Sequence, residues 1–299
     1  MKQKQTSLSE ALIERAIQVS GVSAIVLVVL IFFFLIKEGT PAFLEVPFSS
    51  LMSTRWYPIE AYFGLVPLIL GSLIITIGAA ALSLPLGLAT AIFIAEIAPT
   101  WVRDILKPFV EVLAGIPSVV IGFIGMLVFA PALRVTLNIP TGLTAFTGVL
   151  LLAWMALPTI VSVAEDVLDT VPKTYRDAGL ALGMTRWQVI WRIVLPAGRS
   201  GILTALMLGV GRAIGETMTV MMVTGNAARV PLRPRDLFMP ARTMTATIAA
   251  EMGEVAQGSP HYHVLFAVGL TLFVITFIVN IAAAMVVFRQ VKRGERMLS

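Results

Sequence analysis

The sequence predicts an all-α membrane protein built on six transmembrane helices. Two observations carry that reading. Apolar residues fill 58% of the 299 positions and charged ones only 13%, with a mean hydropathy of +0.91, whereas soluble domains reach about 45 to 50% and about 25%. The apolar residues also gather into six stretches, near 16–36, 65–97, 105–133, 142–164, 198–223 and 264–288, each close to or above the roughly 20 residues that cross a bilayer as a helix.

The first stretch follows Lys2, Lys4 and Arg15, ends in Phe32, Phe33, Phe34, Leu35 and Ile36, and has no small-x-small cleavage site. It is expected to be an uncleaved anchor, so residues 1–64 divide into an anchor and a first outer loop. Within that loop Trp56 and Tyr57 are expected at the outer interface, where amphipathic rings settle. The second and third stretches carry Pro67, Pro85, Pro108 and Pro117, which imply kinks, tilt or breaks. Beyond the fifth, Met244, Ile248 and Met252 recur every four residues after Pro240, which predicts a helix with one apolar face, re-entrant or lying on the membrane. The core of five helices spans 65–290, and 291–299 form a tail. With the N-terminus inside, the inner segments hold twice as many Lys and Arg as the outer ones, so both termini and the segment between stretches four and five are expected in the cytoplasm. The net charge of +5 is then a matter of orientation in the membrane rather than of nucleic-acid binding. There is no cysteine, which excludes disulfides, thiolate catalysis and Cys-ligated metals.

Residues 171–196 read as two short helices. Pro172 suits a first turn, Gly183 a left-handed helix end, and Thr185 with Gln188 a capping box opening the second helix, which Pro196 would close. In the first helix Tyr175, Ala178, Gly179 and Leu182 share a face of mostly small residues. Such a face suits docking into another protein's groove, or a helix lying on lipid headgroups. In stretch five Arg212 and Glu216 stand one helical turn apart. Intramembrane charges are costly, which makes the two either a functional site or a self-neutralising pair. A guanidinium there would suit a tetrahedral oxyanion, and the Gly211-x3-Gly215 spacing would let another helix, as in a second subunit, come close. Gly115, Ile116, Pro117 and Ser118 fit a break in stretch three, either facing an anion with freed N–H groups or simply kinking to pack.

Asp177-Ala178-Gly179, then Gly183 and Ile193-Val194-Leu195-Pro196, resembles the EAA motif of ABC-importer permeases, with Asp for the motif's Glu and Gly179 for its second Ala. Three further runs are similar to the PstC-type permeases of phosphate importers: Arg212 to Met218 with Thr217 inside it, Glu111 to Phe123, and Arg242 to Glu254 with His261 and Asn280 following. The resemblance covers about residues 40–290. It implies a type I ABC-importer permease fold with a cytoplasmic coupling helix, in an inner-membrane subunit of a bacterium. It also implies a PstA-like permease partner, a PstB-like ATPase dimer that carries the ATP and Mg, and a PstS-like binding protein that delivers phosphate. No cofactor is expected on this chain, and Arg212, Glu216 and Thr217 are expected on the path. The chain has no Gly-Lys dipeptide for a P-loop and no G-x-S-x-G or H-E-x-x-H. His261, His263, Glu251 and Glu254 are expected in a solvated loop rather than in a metal site.

Overall fold

The structure is a computed structural model that describes residues 8–231 and 233–295. Lys2 and Lys4 of the basic N-terminus, and the last four residues of the 291–299 tail, lie outside the described residues. Among the described residues six helices are long and apolar enough to cross a membrane: Leu12–Glu45, Val66–Ile97, Ser118–Leu137, Ala145–Thr170, Arg186–Gly215 and Pro260–Met285.

In chain order, α1 (Leu8–Gly39) leads to two single turns, α2 (Ala42–Glu45) and α3 (Phe48–Leu51). A small antiparallel hairpin follows, β1 (Trp56–Tyr57) and β2 (Tyr62–Phe63), with Trp56 opposite Phe63. α4 (Val66–Ile92) runs into a wide, π-helical turn at Phe93–Ile97. α5 (Thr100–Gly115) precedes α6 (Ser118–Ile124), which passes through a second wide turn at Gly125–Phe129 into α7 (Ala130–Leu137). Next come α8 (Ala145–Thr170), α9 (Lys173–Ala181) and α10 (Arg186–Val189), and a third wide turn, Ile190–Val194, joins α10 to α11 (Leu195–Gly215). α12 (Met218–Val223), α13 (Met244–Glu251) and α14 (Pro260–Glu295) complete the chain.

α8 is the axis of the bundle. In its most apolar window 61% of residues are buried, against 0% in α1. Small residues bring its neighbours close: a Cβ on Gly87 of α4 would stand 2.7 Å from Ile160 Cγ2, and one on Gly209 of α11 would stand 2.3 Å from Ile160 Cγ1. Without a hydrophobic drive between helices in lipid, this close dispersion contact is what holds them. α1 leans on α14, where Phe32 and Phe273 stack at 4.8 Å. α9 and α10 close one end of the bundle, the lower end. The hairpin, α13 and the start of α14 close the upper end over an apolar cluster that includes Leu51, Trp56, Phe63, Leu68 and Met244.

Several expectations are corrected here. Trp56 is only 6% exposed and packs within that upper cluster rather than anchoring at an interface, while Tyr57 is exposed. The 244–252 face, with Met244 buried and Ile248 and Met252 packed beside it, turns into the same cluster and not toward lipid. The third stretch is divided at Ile116 and Pro117: α5 lies outside the span, which begins at Ser118. Proline pushes the residue before it out of the helical region, and Ile116 is extended (ψ 127°). The fifth stretch likewise stops at Gly215, with Glu216 extended (ψ 128°) before α12 begins. Pro196 does not end a helix, because the wide turn before it lets it sit in the first turn of α11.

Candidate functional site

The two helix breaks meet inside the bundle. The Thr219 hydroxyl at the start of α12 donates to the Ser118 carbonyl (2.8 Å), and the Thr219 amide donates to Glu216 Oε1 (3.2 Å). Gly122 of α6 lies so close that a Cβ there would stand 3.0 Å from Thr219 Cα. From the third side, the Thr245 hydroxyl of α13 donates to the Glu216 carbonyl (3.1 Å), and the Met244 amide donates to the Ser72 hydroxyl of α4 (2.9 Å). The ends of a broken helix need partners in an apolar setting, and these contacts supply some of them.

Arg212 sits one turn before its break. Nη1 donates to the Thr159 hydroxyl of α8 (2.8 Å) and Nη2 to the Ala114 carbonyl at the end of α5 (3.3 Å). A cation at a helix C-terminus is favourably placed. The expected alignment of Arg212 with Glu216 on one helical face does not occur, because the helix has ended: Glu216 turns instead to the start of α12, and no ion pair joins the two among the described residues. No carboxylate forms an ion pair with this guanidinium among the described residues. Thr217 is half-buried, its hydroxyl donating to the Gly215 carbonyl (3.3 Å). Pro117 caps α6, Gly115 faces open space, and Glu111 is exposed one turn before Ala114. Gly211 and Gly215 also face open space, so nothing among the described residues fills the small-residue face. Chemically, the arrangement offers one cation without an ion-pair partner among the described residues, hydroxyls and a carboxylate around two broken helices.

At the lower end the 171–196 segment is as expected in outline. Gly183 has φ +80°, and the Thr185 and Gln188 capping box is complete (2.9 and 3.3 Å). Tyr175 (54%) and Leu182 (83%) are exposed, as are Asp177, Ala178 and Pro196. Gly179 is not on that outer face. It is buried, and a Cβ there would stand 2.5 Å from Ile193 Cδ1 and 3.0 Å from Val189 Cγ2. The missing methyl lets α9 close against its own following turn.

Sequence reasoning missed a set of charged residues above this segment. Buried Glu165 takes Arg103 at 2.7 Å and Lys107 at 2.7 Å; Lys107 also meets Asp166 (2.8 Å), and Arg103 pairs with Asp169. The Asp166 and Glu165 carboxylates hold the Lys107 pKa above its ordinary value. The available signal was Arg103 and Lys107 four apart on one helix, and Glu165 and Asp169 four apart on another. At the upper end Glu251 accepts from Trp56 Nε1 (3.1 Å) and Arg242 Nη1 (2.8 Å) and meets His261 Nε2 (2.8 Å), while His263 meets Glu45 (2.9 Å). Both histidines open α14 rather than lying in a solvated loop, and no group of three or more His, Cys, Asp or Glu fit for a metal occurs among the described residues.

Residues 83–292 match the family described as binding-protein-dependent transport system inner membrane component. The chain is 41% identical over 234 residues to the probable ABC transporter permease protein YqgH of Bacillus subtilis, covering 78% of this chain and 75% of that one. It is 39% identical over 261 residues to the phosphate transport system permease protein PstC of Mesorhizobium japonicum, covering 81% and 79%. Among solved structures, the inward-facing MetNI methionine ABC transporter aligns with TM-score 0.61 at 18% identity, over 79% of this chain and 99% of that one. A bacterial ABC transporter involved in import of the acidic polysaccharide alginate aligns with TM-score 0.57 at 16% identity, over 93% and 98%. The fold is therefore that of the ABC-importer permeases.

Proposed function

Because the chain belongs to the family of binding-protein-dependent transport system inner membrane components, we propose that it is a permease subunit of an ATP-driven phosphate importer. The observation that carries the substrate is Arg212, held beside two helix breaks without a counter-charge. A planar, permanently charged fork suits a tetrahedral oxyanion. The PstC names of similar proteins agree with that choice.

Arg212, Glu216 and Thr217 line the path, with Glu111, Gly115, Pro117 and Ser118 forming or flanking the break opposite. Glu216 keeps the start of α12 in place and its charge prevents an anion from settling too tightly. A PstA-like permease fills the open face at Gly211 and Gly215 and completes the path. A PstB-like ATPase dimer, which carries the ATP and Mg, docks on Tyr175, Asp177, Ala178 and the turn at Gly183, with buried Gly179 shaping that segment from within and exposed Pro196 at its far end. This chain holds no cofactor. A PstS-like binding protein delivers phosphate to the upper end, and both termini face the cytoplasm of the bacterium. ATP binding moves α9, and the helices around the break expose the path to alternate sides.

Labelled phosphate uptake into proteoliposomes holding the four components tests this. Uptake that needs ATP and this chain, and that sulfate leaves unchanged, is expected. Uptake by this chain alone on an ion gradient would replace the reading with a secondary transporter, and displacement by sulfate would replace the substrate.

A further inference from the structure

Arg176 lies in the middle of α9 but points away from the docking face. Its Nε donates to both Glu96 carboxylate oxygens (3.1 and 3.2 Å) and its Nη2 to Glu96 Oε1 (2.5 Å). Nη2 also reaches the Leu168 carbonyl (2.9 Å), and Nη1 the Val171 carbonyl (2.5 Å). One guanidinium thus joins α9 to the wide turn that ends α4 and to two carbonyls at the end of α8, that of Leu168, which also accepts from the Val171 amide (3.3 Å), and that of Val171. Only a rigid five-donor fork can serve all of these acceptors together. The side chains of Arg176 and Glu96 are 19% and 8% exposed, so water screens the pair weakly. Beside the fork a cleft of about 350 Å³, lined by Arg103, Asp169, Lys173 and Arg186 among others, opens next to α9. Ala95, Leu180, Val189 and Ile190 line the same cleft, so charged and apolar side chains together connect α9 to the bundle on that side.

We propose that Arg176 is a positioning residue that ties the docking helix to the lower ends of α4 and α8, so that displacement of α9 by an ATPase is delivered to those two helices. This rests on the reading of α9 as the docking helix. Arg176 itself is turned inward and takes no part in docking, which separates its role from that of Tyr175 or Asp177. α8 carries Thr159 and α4 carries Ser72, so both helices that receive the push also touch the site around Arg212 and Glu216.

The assembled complex, reconstituted in proteoliposomes, provides the test, with ATP hydrolysis and phosphate uptake measured on the same vesicles. For Arg176→Gln the ATPase should still co-purify and hydrolyse ATP, while phosphate moved per ATP falls about ten-fold. Glu96→Gln, which spares the two carbonyl bonds, should fall less. The native chain has no cysteine, so a chain carrying Glu96→Cys and Arg176→Cys can be bridged by a short reversible thiol cross-linker. The bridge should restore uptake per ATP, and reductant should abolish it again. Arg176→Gln with unchanged uptake per ATP overturns the proposal, as does a bridged chain that performs no better than the reduced one. Wild-type vesicles lacking any ATP-driven uptake would instead overturn the permease reading.

Discussion

Arg176 and Arg212 are both partly buried arginines wedged between helices, yet their surroundings differ in one respect. Arg176 has a carboxylate and two carbonyls within hydrogen-bond reach, whereas Arg212 has one hydroxyl and one carbonyl and no carboxylate. The first charge is neutralised where it stands and serves to fasten. The second is fixed in place by neutral groups, which orient it without spending its charge. Glu165 and Glu216 repeat the contrast: one is 1% exposed between two cations, the other meets a backbone amide. Arg176 and Glu165 are matched by opposite charges within the chain, and Arg212 and Glu216 form no ion pair among the described residues.

The sharpest way to break that contrast is to remove the unmatched charge. Arg212→Gln should lower phosphate uptake about a hundred-fold, the lower end of what losing one preorganised donor to an oxyanion costs. Its melting temperature should stay at the wild-type value, because an amide can still bond Thr159; uptake at the native rate would end the assignment. Supplying the missing counter-charge should do nearly as much. Thr159→Asp, which gives Arg212 a carboxylate, is expected to reduce uptake about ten-fold without destabilising the complex, and undiminished uptake would show that Arg212 does not need its free charge.

The matched side responds in stability instead. Glu165→Ala leaves Arg103 and Lys107 with their outer partners only, and should cost about 2 kcal/mol, read as a lower midpoint in thermal unfolding of the purified complex. No change in that midpoint would mean that the surrounding water and Asp166 suffice. The smallest effect is at high pH. Lys107 has its pKa raised by Asp166 first and Glu165 second, so the stability it adds is complete below the ordinary lysine value and disappears as pH climbs through the raised one. Melting as pH rises from about 10 to about 12, upward from the ordinary lysine value, should therefore fall more steeply in the native chain than in Lys107→Met, and parallel curves would count against the coupling.

Much of this was legible in advance because hydrophobic length and proline position are local signals. The six spans, the break at Pro117, the turn at Gly183 and the capping box at Thr185 each follow from a few adjacent residues. What was not legible depended on contacts between distant segments. The alternation that placed Arg212 and Glu216 on one face assumed a continuous helix, and nothing beside Gly215 announces the stop that lets Thr219 and Thr245 hold Glu216 elsewhere. Gly179 looked like part of a docking face because its partners, Val189 and Ile193, lie on the next helix. Glu96, Arg103, Glu165 and Arg176 are ordinary interfacial charges until the fold brings four segments together. Trp56 likewise has the chemistry of an interface anchor, and only the acceptor on Glu251 explains its burial.

The wide turns that end α4 and that join α6 to α7 and α10 to α11 each leave a helix with one residue more than its pitch requires. Such a surplus behaves like a spare thread on a screw: it can be handed along the helix one residue at a time while the rest of the ladder stays closed. Each handover turns the residues it passes by about 100° and shifts them by about 1.5 Å. Glu96 lies inside the first of these turns, gripped by Arg176, while α4 is locked against α8 at its middle through Gly78 and in its lower half through Gly87. On the proposed docking reading, a linear push on α9 would reach α4 below Gly87, where the wide turn offers a conversion into rotation while the helix above is held.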